Sequence, residues 1–368
     1  MLKPIHRVEC SPALAACQRL MQRFALWLCD PDTADAQINQ QGLQPPVLAS
    51  EIEVDWLWSF LQRVDARQTL LHRAQIVAAL PPPQKAVLVT WIQAVSTLSA
   101  QFRPEPIQWP VECPIPSHTD WKAFKELMEA FYKVGFRNGL PFLPDGTPTT
   151  VGGVTYARYV SEFREAHRQS TNLEAREVCV LCGGPLGQTP EVDHWIAKSA
   201  FPLLSICAEN LLPICGDCNS LANKGQKPVH SDGSFTDWFH PYLNPGNEAM
   251  QITYELHPRS SVRCDAATLV DQRKVANIDG LLNLSLRWTR EFKAEYSKQK
   301  DVLLNRARRR FEAAKPGYSQ NEILLFVEEW EADLLPSEPH YEVRKVLAAA
   351  LKEQARLAAW QIELSLVR

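Results

Sequence analysis

Two Cys-x-x-Cys pairs, Cys179-Val-Leu-Cys182 and Cys215-Gly-Asp-Cys218, constrain this 368-residue chain more than any other feature. Four thiolates from two tight turns can close a tetrahedral zinc site, and a site with four protein ligands leaves no position for water, so it is structural. Gly183, Gly184 and Gly216 supply the backbone freedom that such knuckles need. The pairs are separated by 32 residues, whereas simple zinc clips use about 15–20. A folded insert is therefore expected between them. The other six cysteines (Cys10, Cys17, Cys29, Cys113, Cys207 and Cys264) are scattered, mostly among apolar residues. That usage points to a reducing compartment. The first twenty residues carry no long apolar stretch ending in a cleavage site, and no run of about 18 apolar residues occurs. A cytoplasmic protein without a membrane span is the expectation.

The insert reads PLGQTPEVDHWIAKSAFPLLSICAENLLPI. Glu191-Val192-Asp193-His194 alternates polar and apolar residues, as a short strand does. A carboxylate binds a hard divalent cation such as Mg²⁺, and a neutral imidazole beside it can take a proton from water. Asn210 precedes an apolar Leu-Leu-Pro-Ile stretch that runs into the second cysteine pair, and Asn219 follows Cys218 at the start of an expected short helix, NSLANKG. The order is then strand, loop closed by Asn210, strand and helix. Folded as a finger, it can bring Asp193 and Asn219 to one cation, with His194 facing the attacked phosphate.

With these residues in place, EVDHWIAKS, NLLPICGDCNS and NKG resemble the HNH endonuclease superfamily, the ββα-metal or His-Me finger nucleases, in the branch stapled by a four-cysteine zinc. The resemblance covers about 50 residues, Cys179 to Pro228. It implies that His194 is the general base, that Asp193 and Asn219 ligate a catalytic Mg²⁺ or Mn²⁺, that Asn210 holds the loop and orients His194 through backbone hydrogen bonds, and that Lys224 neutralises a phosphate. Structural Zn²⁺ would sit on Cys179, Cys182, Cys215 and Cys218. The implied reaction is single-metal phosphodiester hydrolysis. Two departures stand out. Many relatives read Cys-Asn-x-x-Lys-Gly, and Leu221-Ala222 lengthen that step here, so Asn223 is an alternative ligand, expected four residues on along the same helical face. Ala197 stands where many relatives have proline. An inactive zinc-stapled finger that only binds nucleic acid or protein is the competing expectation.

Around the insert, helical periodicity dominates, giving a mainly α chain with a small α+β insert. Residues 1–110 form a helical N-terminal region with no catalytic constellation; nine basic and nine acidic residues balance in it. Residues 111–175 comprise a proline-rich linker (five prolines within 103–118), a helix capped by Asp120 and a second over 156–169. Residues 176–245 are the nuclease domain, closed by the aromatic cluster Trp238, Phe239, His240, Pro241 and Tyr242, expected to pack against the finger. Residues 246–368 begin with two short strands and continue as helices from Asp271. The net charge of −3 predicts no polyanion partner for the chain as a whole. Locally, Arg287–Arg310 holds nine basic and three acidic residues, while the stretch from Phe311 holds ten acidic and six basic. The basic run is the candidate phosphate-contacting surface for duplex DNA read without sequence preference. By analogy with zinc-stapled fingers of bacterial anti-phage systems, an ATPase partner docking on the N-terminal helices is a further expectation.

Overall fold

The computed structural model describes residues 3–96, 98–103, 108–168, 177–246, 248–255 and 261–366. It is mostly helical, with three small antiparallel hairpins. Helix α1 (Ser11–Leu28) places Ala13, Leu14, Cys17, Leu20, Met21, Phe24 and Leu28 on one buried stripe, each large side chain contributing about 1.5–3 kcal/mol by leaving water. Helix α2 (Glu51–Leu61) starts at Ser50, whose side chain accepts the Glu53 N–H. The two Glu53 carboxylate oxygens in turn accept from one Arg23 guanidinium nitrogen, Nη2, at 2.8 Å each, tying α2 to α1. A two-residue hairpin, β1 (Val64–Asp65) and β2 (Gln68–Thr69), leads into α3 (Leu70–Ala78). The prolines at 81–83 open α4 (Pro82–Ser96), where a missing N–H costs nothing.

The described part of the proline-rich linker has no regular element before His118 and is strapped down by side chains. Trp109 is buried with its backbone N–H on Gly233 O (3.0 Å), and the Trp91 indole donates to Val111 O (2.7 Å). Helix α5 (His118–Ala130) is capped by Ser117, not by the expected Asp120. Ser117 has the extended backbone of a cap and accepts the Asp120 N–H; Asp120 lies inside the first turn. The helix widens into a π-helical turn, Phe131–Phe136. Gly135 lies there against the Trp56 ring, where an added Cβ would come within 3.2 Å. Helix α6 (Tyr156–His167) follows and ends short of the expected Gln169, because Arg168 is already extended at the C-cap; Gln169 itself lies outside the described residues.

Strand β3 (Glu191–His194) pairs antiparallel with β4 (Leu211–Ile214), with Asp193 opposite Leu212 and His194 opposite Leu211. Helix α7 (Gly216–Asn219) comes next. The expected order of strand, loop, strand and helix is present, but the helix is shifted. It ends at Asn219 instead of starting there, because Cys215 takes the cap position and Ser220 is extended. Asn219 and Asn223 therefore do not share a helical face. Strands β5 (Met250–Glu255) and β6 (Ser261–Ala266) form a hairpin that packs on the long helix Leu284–Glu312; residues 256–258 of the expected first strand lie outside the described residues. Helix α8 (Gln272–Leu282) breaks at Asn283, which is left-handed (φ 52°), and α9 (Leu284–Glu312) follows. At 29 residues, α9 is about 44 Å long. Helices α10 (Gln320–Ala332), α11 (Tyr341–Leu351) and α12 (Gln354–Ser365) complete the C-terminal region and pack on one another. No described helix is long and apolar enough to cross a membrane.

The insert is anchored in the N-terminal helices. Phe201 stacks on Trp91, with ring planes 2° apart, and Gln18 donates to Leu203 O at 2.6 Å. Trp195, Leu203 and Leu204 are buried.

Candidate metal centre and adjoining polar site

Cys179, Cys182, Cys215 and Cys218 are all buried, and their sulfurs lie within 4.8 Å of one another. The Cys179–Cys218 and Cys182–Cys215 separations are 3.9 and 3.8 Å. Disulfides need about 2.05 Å, so these are free thiols. Zn–S bonds of about 2.3 Å arranged tetrahedrally put the sulfurs about 3.8 Å apart, so the donor set fits zinc. The local backbone explains the convergence. Gly183 adopts φ 69°, a left-handed turn that glycine tolerates without strain, and the Gly183 N–H returns to Cys179 O at 2.8 Å.

Distant elements grip the first knuckle. Trp288 of α9 donates its indole N–H to Cys182 O (2.9 Å), the His340 N–H binds Gly183 O (2.7 Å), and the Lys3 N–H binds Val180 O (3.3 Å). The second knuckle meets Arg287, whose guanidinium nitrogens lie 3.3 Å from Cys218 Sγ and 4.0 Å from Cys215 Sγ.

The polar residues of the insert collect at the end of β3. His194 is 2% exposed, and its Nε2 lies 2.9 Å from Ser205 O. A carbonyl only accepts, so Nε2 carries the hydrogen and Nδ1 keeps the lone pair. Lys198 Nζ lies 3.4 Å from that Nδ1. Burial, reinforced by the Lys198 charge, holds the His194 pKa well below the ordinary imidazole value, against the Ser205 carbonyl. The ring is therefore neutral at neutral pH. Tyr132 from the π-helical turn meets it edge-on, centroids 4.6 Å apart, and donates its hydroxyl to Val192 O at 3.1 Å.

Asp193 is also buried, and its Oδ2 lies 2.7 Å from Lys224 Nζ. Burial raises the Asp193 pKa, and the Lys224 charge opposes the rise. Lys224 is fully buried, with its ammonium also 2.7 Å from His194 O. Expected to meet a phosphate, Lys224 instead points inward at the carboxylate and backbone of β3. Asn210 is fully buried and spans the loop. Its Oδ1 accepts the Ile196 N–H (2.7 Å), and its Nδ2 donates to Ile196 O (2.9 Å) and Leu204 O (3.1 Å). It thus ties both ends of the segment that carries Ser205.

The two candidate asparagines differ in their engagement. Asn219 is half-buried and donates to the Glu191 carboxylate; Glu191 and Asp193, two apart on a strand, lie on one face. Asn223 is buried and committed on both sides of its amide. Its Nδ2 donates to Asp217 O (2.6 Å), and its Oδ1 accepts from Asn283 (2.9 Å). The aromatic cluster packs as expected: Phe239 and His240 are buried, and the Tyr242 hydroxyl donates to Leu211 O in β4 at 2.9 Å.

Ser205, Lys198, Tyr132 and Glu191 escaped sequence reasoning, and Arg287, expected in the phosphate-contacting run, lies instead against the cysteine sulfurs. Ser205 acts through its backbone, which has no signature. Tyr132 and Arg287 come from remote elements. Lys198 and Glu191 lie within four residues of His194 and Asp193, and a polar residue that close to each was the available signal.

No family model matches the chain, and no solved structure matches it. The chain is similar to protein ea31 of Escherichia phage lambda, at 30% identity over 132 residues, which is 32% of this chain and 43% of that protein. The similarity thus spans less than half the length of that relative.

Proposed function

We propose that the chain is a metal-dependent endonuclease that hydrolyses phosphodiester bonds in DNA. His194 carries this reading: it is a buried, neutral imidazole whose tautomer is fixed by Ser205 O, adjacent in sequence to a carboxylate. A general base must keep its lone pair at working pH, and this environment does so at Nδ1. Asp193, with Asn219 or alternatively Asn223, would hold Mg²⁺ or Mn²⁺, which when bound supplies polarisation of the scissile phosphate and offsets charge on the leaving 3′ oxygen. Asn219 is the better placed of the two, because its Oδ1 has no hydrogen bond among the described residues whereas both ends of the Asn223 amide are occupied. Water at Nδ1 would give its proton to His194, and Asn210 keeps the Ser205 carbonyl in place while it does. Lys198 Nζ occupies that side of the ring, 3.4 Å from Nδ1, and would have to move aside to admit water.

Binding energy would come from α9. Arg290, Lys293 and Arg308 share one exposed helical face and form no ion pair among the described residues. Arg310 and Lys300, by contrast, are paired with Glu322 and Glu363 of the acidic tail.

The second reading is an inactive zinc-stapled adaptor that binds DNA or protein. One observation favours it: the Lys224 ammonium already neutralises Asp193. Supercoiled plasmid incubated with Mg²⁺ or Mn²⁺ separates the two. Nicking or linearisation that His194→Ala abolishes, with zinc content unchanged, supports the nuclease. DNA binding without cleavage, untouched by Asp193→Ala, supports the adaptor.

A further inference from the structure

A zinc ion held by four thiolates carries net negative charge, and burying that charge is costly unless donors or cations compensate it. Here all four sulfurs are buried. On the second-knuckle side they meet a guanidinium, that of Arg287, with one nitrogen 3.3 Å from Cys218 Sγ and the other 4.0 Å from Cys215 Sγ. A third contact, to Leu282 O at 3.3 Å, fixes the fork at the junction of α8 and α9. Arg287 has no carboxylate within ion-pair distance among the described residues; the sulfurs take that place. The same helix turn sends the Trp288 indole to Cys182 O.

We propose that Arg287 is a positioning residue for the zinc centre: its N–H groups and charge stabilise the Cys215 and Cys218 thiolates, hold the ion against loss, and dock α9 on the cysteine cluster. Partners of metal-bound side chains typically contribute 10–100-fold to metal affinity. Lysine keeps the charge but cannot fork between two sulfurs, so its effect should be intermediate.

The test uses the full-length zinc-loaded protein, its Arg287→Met and Arg287→Lys variants, and Trp288→Phe as a control that removes a knuckle contact without touching sulfur. Zinc transfer to a chromogenic chelator should be roughly tenfold faster in Arg287→Met, with Arg287→Lys between it and the parent. After cobalt substitution, the sulfur-to-metal charge-transfer band should move to lower energy in Arg287→Met, because thiolates without the donor give up electrons more readily. Trp288→Phe should lower stability but leave the band in place. Should Arg287→Met fail to fold, judged by circular dichroism, the cobalt spectrum of Arg287→Lys decides. A transfer rate within about twofold of the parent in Arg287→Met, or a band that stays put in the folded variants, overturns the proposal.

Discussion

Replacing Lys224 by methionine tests the centre of the polar site. The ammonium is fully buried, 2.7 Å from Asp193 Oδ2 and 2.7 Å from His194 O. Methionine fills similar volume, so the change removes charge and hydrogen bonds with little change in packing. Removing one partner of a buried pair costs about 3–5 kcal/mol, because the other is left uncompensated. Proton uptake sets a ceiling: neutralising a carboxyl of ordinary pKa about 3.9 at pH 7 costs about 4 kcal/mol. The two routes give the same magnitude. They also fix the pH dependence. In the variant, the folded-state pKa of Asp193 rises further above its unfolded value, so between those two values the folded state binds more protons, and stability relative to the parent recovers as pH falls. The deficit should shrink by about 1.4 kcal/mol per pH unit below 7. Urea unfolding of parent, Lys224→Met, Asp193→Asn and the double variant at pH 7 and 5.5 measures this. The double variant should be more stable than Lys224→Met alone. A surface lysine reaching for phosphate would change stability by no more than about 0.5 kcal/mol. A Lys224→Met deficit below about 1 kcal/mol, with no pH dependence, would refute the inward pairing and restore the phosphate role expected from the sequence.

His194→Ala should abolish plasmid cleavage while zinc content and circular dichroism stay at parental values; robust nicking by this variant removes His194 from the mechanism. Stripping zinc with a strong chelator, then restoring Mg²⁺, should lower the apparent melting temperature by about 10 °C or more, since structural zinc supplies on the order of 10 kcal/mol of folding free energy in small fingers. Limited proteolysis should then cut near α9 and α11, whose Trp288 and His340 grip the first knuckle. His167 gives a pH prediction of opposite sign to Lys224→Met. Burial lowers its pKa from 6.5 to about 4, while Nδ1 lies 2.8 Å from Phe163 O and Nε2 accepts the His6 N–H at 2.9 Å. The unfolded chain therefore binds the proton first, and stability falls as pH drops below 6.5, by about 2 kcal/mol at pH 5. Chemical denaturation of His167→Gln should show a shallower loss over that window than the parent.

The helices were legible because their signals are local. Prolines at 81–83 opened α4, and the periodic apolar residues of α1 formed its buried stripe. Errors fell where two local signals competed. Asp120 and Ser117 are both good caps, and the extended backbone of Ser117 decided between them. Asn219 has the sequence context of a helix start, yet the knuckle turn at Cys215 sets the helix phase, and it ends α7 at Asn219. Metal-ligand spacing, a tertiary constraint, outranks the capping preference of an asparagine there.

The site divides along a different line. The four cysteines converge as their spacing predicts, and Asp193, His194 and Asn210, each conspicuous by residue type at a short spacing, lie close to one another around the end of β3. What was not legible is how those groups are tuned. The His194 tautomer rests on a backbone carbonyl, that of Ser205, which any residue could supply. The edge-on ring comes from Tyr132, placed by a π-helical turn that no periodicity rule anticipates. Lys224 has the motif position of a phosphate contact, yet its ammonium points inward. A lysine next to glycine at the end of an expected short helix looks exposed; only the depth of the β3 face shows that its ammonium sits on Asp193. Residue type therefore names the chemistry that a site can do, while burial and backbone geometry decide the protonation state and the direction in which each group acts. The ion pair between Lys224 and Asp193 is where those two kinds of information disagree, and the choice between the two proposed readings turns on whether a divalent cation can share that carboxylate.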